Sequence, residues 1–306
     1  MDATFTPRED CRILPLMPRI GGKRTVVSSS FFLLLGLWIG GPAVHAEPED
    51  RPAPDPASIE AEREGIDVAS TVLLPSAVRL PSHFDPAREY DLLVALHGFG
   101  SSPEGFAEIS RPFTEANLVF AAPQAPTPFL VEGNLGFDWD RAHDEPDGSE
   151  RRVRFGRASV DYIVDVIETL QDRYAIRHVY LFGFSQGGAY AYLVGIHHPD
   201  LVSGVAAVGM GFDVVWFEDG ALESASGVPV LIAHSPSDQR IPIVLARESA
   251  ETLRSLGYDV TFYEYSDGHR VTQDVLEQTV RWIEHLDADP ETSNPGSKAA
   301  AASTEQ

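Results

Sequence analysis

Between residues 68 and 288 the chain alternates short apolar runs with segments whose apolar residues recur at helical spacing. Residues 90–96 (Y-D-L-L-V-A-L) have almost no polar position, the pattern of a strand buried on both faces. The run ends in His97-Gly98-Phe99-Gly100, and Ser102 with Pro103 then supplies an N-cap and a first-turn residue for a helix predicted through about Ala116. Residues 118–122 predict a strand that stops at Pro123. Across residues 157–174, Val160, Ile163, Val164, Ile167 and Leu170 share one helical face. A strand at 178–182 and a helix beginning near Ala189 follow. Further strands are predicted at 205–208, 228–233 and 260–265, with helices at 243–256 and 272–286. Strands alternating with helices imply an α/β fold with a mostly parallel central sheet and helices on both faces. Functional residues in such sheets gather beyond the carboxyl ends of the strands.

The two ends read differently. Arg19, Lys23 and Arg24 precede an apolar stretch at 26–39, Pro42 breaks it, and Val44-His45-Ala46 offers a small-residue cleavage site before Glu47. Residues 1–46 are therefore expected to be a secretory signal peptide, with Met17 as an alternative start and an uncleaved anchor as the competing reading. Cleavage would leave no stable membrane span and a secreted or periplasmic protein. Residues 47–67 are acidic and proline-rich and predict a solvated linker, whereas the Ala/Ser/Pro-rich residues 289–306 predict a disordered tail.

Composition narrows the chemistry. The 306 residues carry Lys+Arg 23 against Asp+Glu 46, a net charge of −23, which disfavours nucleic acid and anionic membrane surfaces as partners. The single cysteine, Cys11, falls within the expected signal, so the mature chain would have no thiol for catalysis, disulfides or thiolate metal sites.

Gly183-Phe184-Ser185-Gln186-Gly187-Gly188 stands between a predicted strand and a predicted helix. A G-x-S-x-G turn in that setting is a nucleophile elbow, as in an α/β-hydrolase. Glycines flank the serine because side chains there would collide where strand and helix pass closely. A glycine-rich turn can also cradle phosphate, but the additional glycines and the lysine of a P-loop are missing. An acid and a histidine are then required downstream, in that order. Asp238 follows the strand at 228–233 and His269 follows the strand at 260–265. Asp238 would fix the histidine tautomer, and His269 would take the Ser185 proton and return it to the leaving group. Asp267 is a second candidate acid, although it lies only two residues from the ring.

The oxyanion formed on attack needs preorganised donors. The backbone N–H of Gln186 is one, and that of Phe99, in the loop after residue 96, is the other. His97 beside it reads as structural, because His269 already fills the catalytic position. Residues 124–156 form a long stretch without clear periodicity. They predict an acyl-binding wall or lid in which Phe129, Phe137 and Trp139 either contact substrate or close the core. The acids Asp138, Asp140 and Asp144 do not follow EF-hand spacing, so no metal site is expected. Nothing points to a dinucleotide fold.

Leu96-His97-Gly98-Phe99-Gly100, Ala122-Pro123-Gln124-Ala125-Pro126, Gly183 to Gly188, Asp238-Gln239-Arg240-Ile241-Pro242 and Gly268-His269 together resemble the phospholipase/carboxylesterase family of α/β-hydrolases, which includes acyl-protein thioesterases. The resemblance spans about residues 68–286. It implies Ser185, Asp238 and His269 as a triad, Phe99 and Gln186 as oxyanion donors, and cofactor-free hydrolysis of carboxylic or thio-esters. The substrate would be a small-molecule, lipid or polymer ester. Residues 127–156 are longer and more charged than in compact members. With the expected export, that leaves an extracellular polyhydroxyalkanoate depolymerase or feruloyl-type esterase as an alternative. A non-catalytic binding protein that keeps the fold is a third reading.

Overall fold

The computed structural model describes residues 72–217 and 220–288. The expected signal peptide, linker and tail lie outside the described residues. Among the described residues, nine strands form two sheets. The main sheet has seven strands in the order β1-β3-β2-β6-β7-β8-β9, where β1 is Ser76–Arg79, β2 Tyr90–Leu96, β3 Val119–Pro123, β6 Ile176–Phe184, β7 Gly204–Val208, β8 Val230–His234 and β9 Val260–Glu264. All neighbours are parallel except β1, which caps the edge antiparallel to β3. The second sheet is a hairpin of β4 (Thr127–Val131) and β5 (Asn134–Asp138).

Alternation along the buried strands divides the core in two. Leu92, Val94, Leu96, Leu181, Val205 and Ile232 face the helices α3 (Glu150–Arg173), α4 (Gln186–His197) and α6 (Ile243–Ser255). Leu93, Ala95, Phe120, Phe182, Val208 and Leu231 face Phe106, Phe113 and the helix α7 (Gln273–Ala288). Successive strand residues point to opposite faces, so a strand covered on both sides must be apolar throughout, as β2 is. Tyr180 donates its hydroxyl to Asp287 at 2.7 Å, and Arg177 grips Asp91 at 2.7 and 3.1 Å, fixing the end of α7 to the strands β2 and β6. Among the described residues, no helix is long and apolar enough to cross a membrane.

Two expectations are corrected. The helix predicted from Ser102 to Ala116 is three short pieces: α1 (Pro103–Phe106), a 3-10 turn at Ala107–Ser110, and α2 (Arg111–Glu115). Ser102 does cap it, accepting from the Gly105 N–H at 3.1 Å. Pro112 ends regularity, because it has no N–H for the carbonyl four residues back and its ring crowds that carbonyl. The stretch at 124–156 is organised, not irregular. It contains the β4-β5 hairpin, closed at Glu132 and Gly133 with φ values of 49° and 83°, as a two-residue turn of the I′ kind requires. Its last residues are the first turns of α3, which Ser149 caps by accepting from the Arg152 N–H at 3.1 Å. A 3-10 turn at Val214–Trp216 and a short helix, α5 (Ala221–Ser224), lie between β7 and β8.

Candidate active site

Ser185 sits between β6 and α4 with φ 53° and ψ −122°. A β-carbon is strained there by about 1–3 kcal/mol, so surrounding structure must hold it. The Ser185 N–H donates to Val208 O of the neighbouring strand at 2.9 Å, and its carbonyl accepts from the Gly188 N–H at 2.8 Å. The flanking glycines are set by close backbone contact. A β-carbon on Gly183 would stand 2.2 Å from Gly187 O, and one on Gly187 would stand 2.1 Å from Leu96 O.

The structure brings the three expected side chains together. His269 Nε2 lies 2.9 Å from Ser185 Oγ, and His269 Nδ1 lies 2.7 Å from Asp238 Oδ2. The remaining Asp238 oxygen accepts from the backbone N–H groups of Arg240 and Ile241 at 2.8 and 3.0 Å. Burial alone would raise the Asp238 carboxyl, but these donors and His269 outweigh it and hold the group below the usual carboxylate range. An ionised Asp238 keeps the imidazole proton on Nδ1, leaving Nε2 as the base toward the serine. Asp267, the second candidate acid, is exposed and faces Arg270 at 3.5 Å. Its neighbour Gly268, at φ 70°, donates its N–H to Ser235 Oγ and Ser237 Oγ, both at 3.1 Å, and so anchors the histidine loop.

Beside Ser185 opens a cavity of about 280 Å³, with Phe99 and Gln186 on its wall. Neither the Phe99 nor the Gln186 backbone N–H donates a hydrogen bond to another described residue. His97 is fully buried. Its Nδ1–H donates to Gly98 O at 2.9 Å and its Nε2 accepts from the Ala125 N–H at 3.2 Å. Burial drives its pKa down to about 4, so the ring is neutral and shapes the loop.

The aromatic residues of the hairpin are not where a cavity wall requires them. Phe137 and Trp139 are buried in the core, and Trp139 donates its indole N–H to His97 O at 2.9 Å. Phe129 packs at a tilt of 41° against Phe99, which lines the cavity, with ring centroids 4.7 Å apart, and stacks on His143 at 4.5 Å. The lining comes instead from Ala189, Tyr190 and Leu193 of α4, Met210, Trp216, and the pair Asp140 and Arg152. Gln186, Ala189, Tyr190 and Leu193 recur at i, i+3, i+4 and i+7, a helical stripe that the sequence displays. No comparable signal marks Asp140 or Arg152.

These acids differ in environment. Asp138, fully buried, accepts from Gln186 Nε2 at 2.7 Å, from His143 Nδ1 at 2.8 Å, and from the N–H groups of His143 and Asp140. Its burial is outweighed by these donors, which hold it below the usual range. Asp140 is pushed up to about 6 by burial, with Asp138 adding to the rise and Arg152, at 3.1 Å, opposing it.

Residues 85–287 match the profile of the phospholipase/carboxylesterase family. A rice protein (Oryza sativa subsp. japonica) named a probable inactive carboxylesterase is 30% identical over 214 residues, 63% of this chain and 84% of the relative. Acyl-protein thioesterase 1 of Gibberella zeae is 25% identical over 212 residues, 62% of this chain and 88% of that protein. The crystal structure of esterase PE8 superimposes with a TM-score of 0.58 at 21% identity, covering 70% of this chain and 99% of the esterase.

Two outcomes follow from this geometry. Gly187→Ala places a methyl group against two backbone carbonyls, and is expected to destabilise by about 3 kcal/mol or more while displacing Ser185. Urea denaturation checks it; unchanged stability would remove close approach as the reason for glycine. The Asp140 carboxyl binds its proton more tightly folded than unfolded, where its pKa is near 3.8. The contribution of Asp140 to folding stability therefore falls as pH rises from about 4 to 6 and levels off above. The neutral Asp140→Asn should lack that fall, so its melting temperature relative to wild type should climb between pH 4 and pH 7. A pH-independent difference would show that Asp140 titrates alike folded and unfolded.

Proposed function

Because the chain belongs to the phospholipase/carboxylesterase family of α/β-hydrolases, we propose that this esterase-type hydrolase is an exported carboxylesterase working through a Ser185 acyl-enzyme. The observation that carries the reading is the continuous relay from Ser185 Oγ to His269 Nε2 and from His269 Nδ1 to Asp238. Ser185 Oγ attacks the ester carbonyl carbon as its proton passes to Nε2. The carbonyl oxygen becomes an oxyanion facing the Phe99 and Gln186 N–H groups. As the carbon–oxygen bond to the leaving alcohol breaks, the imidazolium returns the proton to that alcohol. Water, deprotonated by the same nitrogen, attacks the acyl-enzyme and releases the acid and the free serine. Each proton is donated back, so no cofactor enters the cycle. A thioester would follow the same path with a thiol leaving.

An apolar hairpin tip favours a second reading of the substrate. Leu130 and Leu135 are paired across the hairpin and exposed, next to Phe129 and the Phe99 ring it touches. Such a tip suits a water-insoluble or polymeric ester, as a polyhydroxyalkanoate depolymerase or feruloyl-type esterase would meet. The third reading, a binding protein without catalysis, matches the word "inactive" in the name of the rice relative. The intact relay in this chain weighs against it.

Fluorophosphonate labelling and p-nitrophenyl ester turnover separate the readings. Wild type is expected to label and turn over, and Ser185→Ala to lose both, with kcat down about 10⁴-fold or more. Labelling that persists in the variant would exclude Ser185 as nucleophile, and inactivity of wild type would favour the binding reading. Rates that peak on feruloyl or polymeric esters over short alkyl esters would transfer the assignment to the second reading. Export has its own check. Edman sequencing of the protein recovered outside the cytoplasm is expected to begin at Glu47, and a start at Met1 or Met17 would exclude cleavage at Ala46.

A further inference from the structure

The oxyanion donors belong to two separate segments, the loop after β2 and the first residue of α4. Both are held by one short stretch at the end of β5. Phe137 exchanges backbone hydrogen bonds with the loop: the Gly100 N–H donates to Phe137 O at 2.9 Å, and the Phe137 N–H donates to Ser101 O at 3.0 Å. Trp139 reaches the same loop through its indole N–H on His97 O. Asp138, between them, turns the other way, as alternation in an extended chain requires, and Asp140 beyond Trp139 joins it. Gln186 Nε2 donates to Asp138 Oδ1 at 2.7 Å and to Asp140 Oδ1 at 2.8 Å, and Gln186 Oε1 accepts from the Trp139 N–H at 3.4 Å.

We propose that the side chains of Gln186 and Asp138 are positioning residues for the oxyanion hole, with residues 137–140 as a brace that fixes the separation of the Phe99 and Gln186 N–H donors. The inference rests on the acyl-transfer reading of Ser185. The partners dictate the amide's orientation: two carboxylates can only accept, so the NH₂ faces them, and the Trp139 N–H can only donate, so the oxygen faces it. Glutamate at 186 would set a third carboxylate against two others. An apolar side chain would leave those carboxylate oxygens and the Trp139 N–H without this partner. Asp138 is itself immobilised, with no exposed surface and with His143 gripping its other oxygen through both ring and backbone. The amide thus connects the first turn of α4, next to Ser185, to a fixed point on the hairpin. Oxyanion donors act on charge that exists only in the transition state, so a small displacement of either is felt in kcat before substrate binding.

The test uses Gln186→Met, which keeps the backbone N–H and roughly the side-chain volume while removing the amide. With p-nitrophenyl acetate, kcat is expected to fall about 10- to 100-fold with KM within about twofold. Affinity for an alkyl trifluoromethyl ketone, which forms a tetrahedral oxyanion on Ser185, should fall by the same factor as kcat/KM, and inhibition by the product acid should not change. Asp138→Asn should show the same split to a smaller degree; should it fail to fold, Gln186→Met alone decides. A Gln186→Met enzyme with kcat within twofold of wild type overturns the brace, as does lost activity with unchanged ketone affinity. Wild type that neither labels with fluorophosphonate nor turns over sinks the underlying acyl-transfer reading, an outcome distinct from both.

Discussion

The structure depends on one close approach, the passage of the first turn of α4 across the end of β2. At Gly187 the helix backbone lies where any β-carbon would meet Leu96 O at 2.1 Å, and at Gly183 the strand backbone lies against Gly187 O. Contact at that distance leaves no side chain between the two segments, and it bends the chain sharply enough to force Ser185 to φ 53°. The strain has a geometric consequence. A residue in that conformation projects its hydroxyl away from the sheet, toward the loops that end β8 and β9. Asp238 and His269 stand on those loops because strands β8 and β9 are the next neighbours after β7 in a parallel sheet. Neighbouring parallel strands present their carboxyl ends side by side. The order of the triad residues along the chain is therefore a result of strand order.

Around this point, carboxylates of one chemical type are shifted in opposite directions by their surroundings. Asp238 and Asp138 are both buried, and both are kept ionised by donors aimed at them. Asp140, two residues from Asp138, is pushed up to about 6 because burial and its neighbour outweigh Arg152. His97 is forced neutral by burial, whereas His269 has an acid at one nitrogen and a hydroxyl at the other. A site that must move one proton repeatedly benefits from this arrangement. In the proposed mechanism Asp138, Asp238 and His97 hold the frame with fixed charge at neutral pH, and the proton passes through His269.

The elements legible in the sequence were those whose pattern has one physical cause. The strand β2 reads as a solid apolar run because both its faces are covered, and Val160 to Leu170 reads as a helix because one face is. Ser185, Asp238 and His269 were legible because their spacing follows strand ends. The hairpin was not, since Glu132-Gly133 is a weaker turn signal than Asn-Gly and Pro128 argues against a strand. The start of α3 was hidden by Arg151, Arg152, Arg154 and Arg157, although Val153 lies seven residues before Val160 on the same stripe. Pro112 gave fair warning of the broken helix. Phe137 and Trp139 were open between substrate and core because an aromatic residue serves either, and only burial decides.

That burial changes what the hairpin is for. A lid must move, and a segment that moves cannot bury its own tryptophan in the domain core. Trp139 has no exposed surface, and its indole N–H is committed to His97 O. Phe137 is committed to the loop that carries Phe99, and Asp138 to Gln186. Opening the base of the hairpin would break these contacts at three points, so the proposed acyl transfer requires a rigid base. Only the distal end, with Leu130 and Leu135 exposed, is free of such ties. The hairpin therefore divides by position. In the proposed mechanism its base serves the transition state that every ester substrate shares, while its tip is left to vary with the particular ester that approaches.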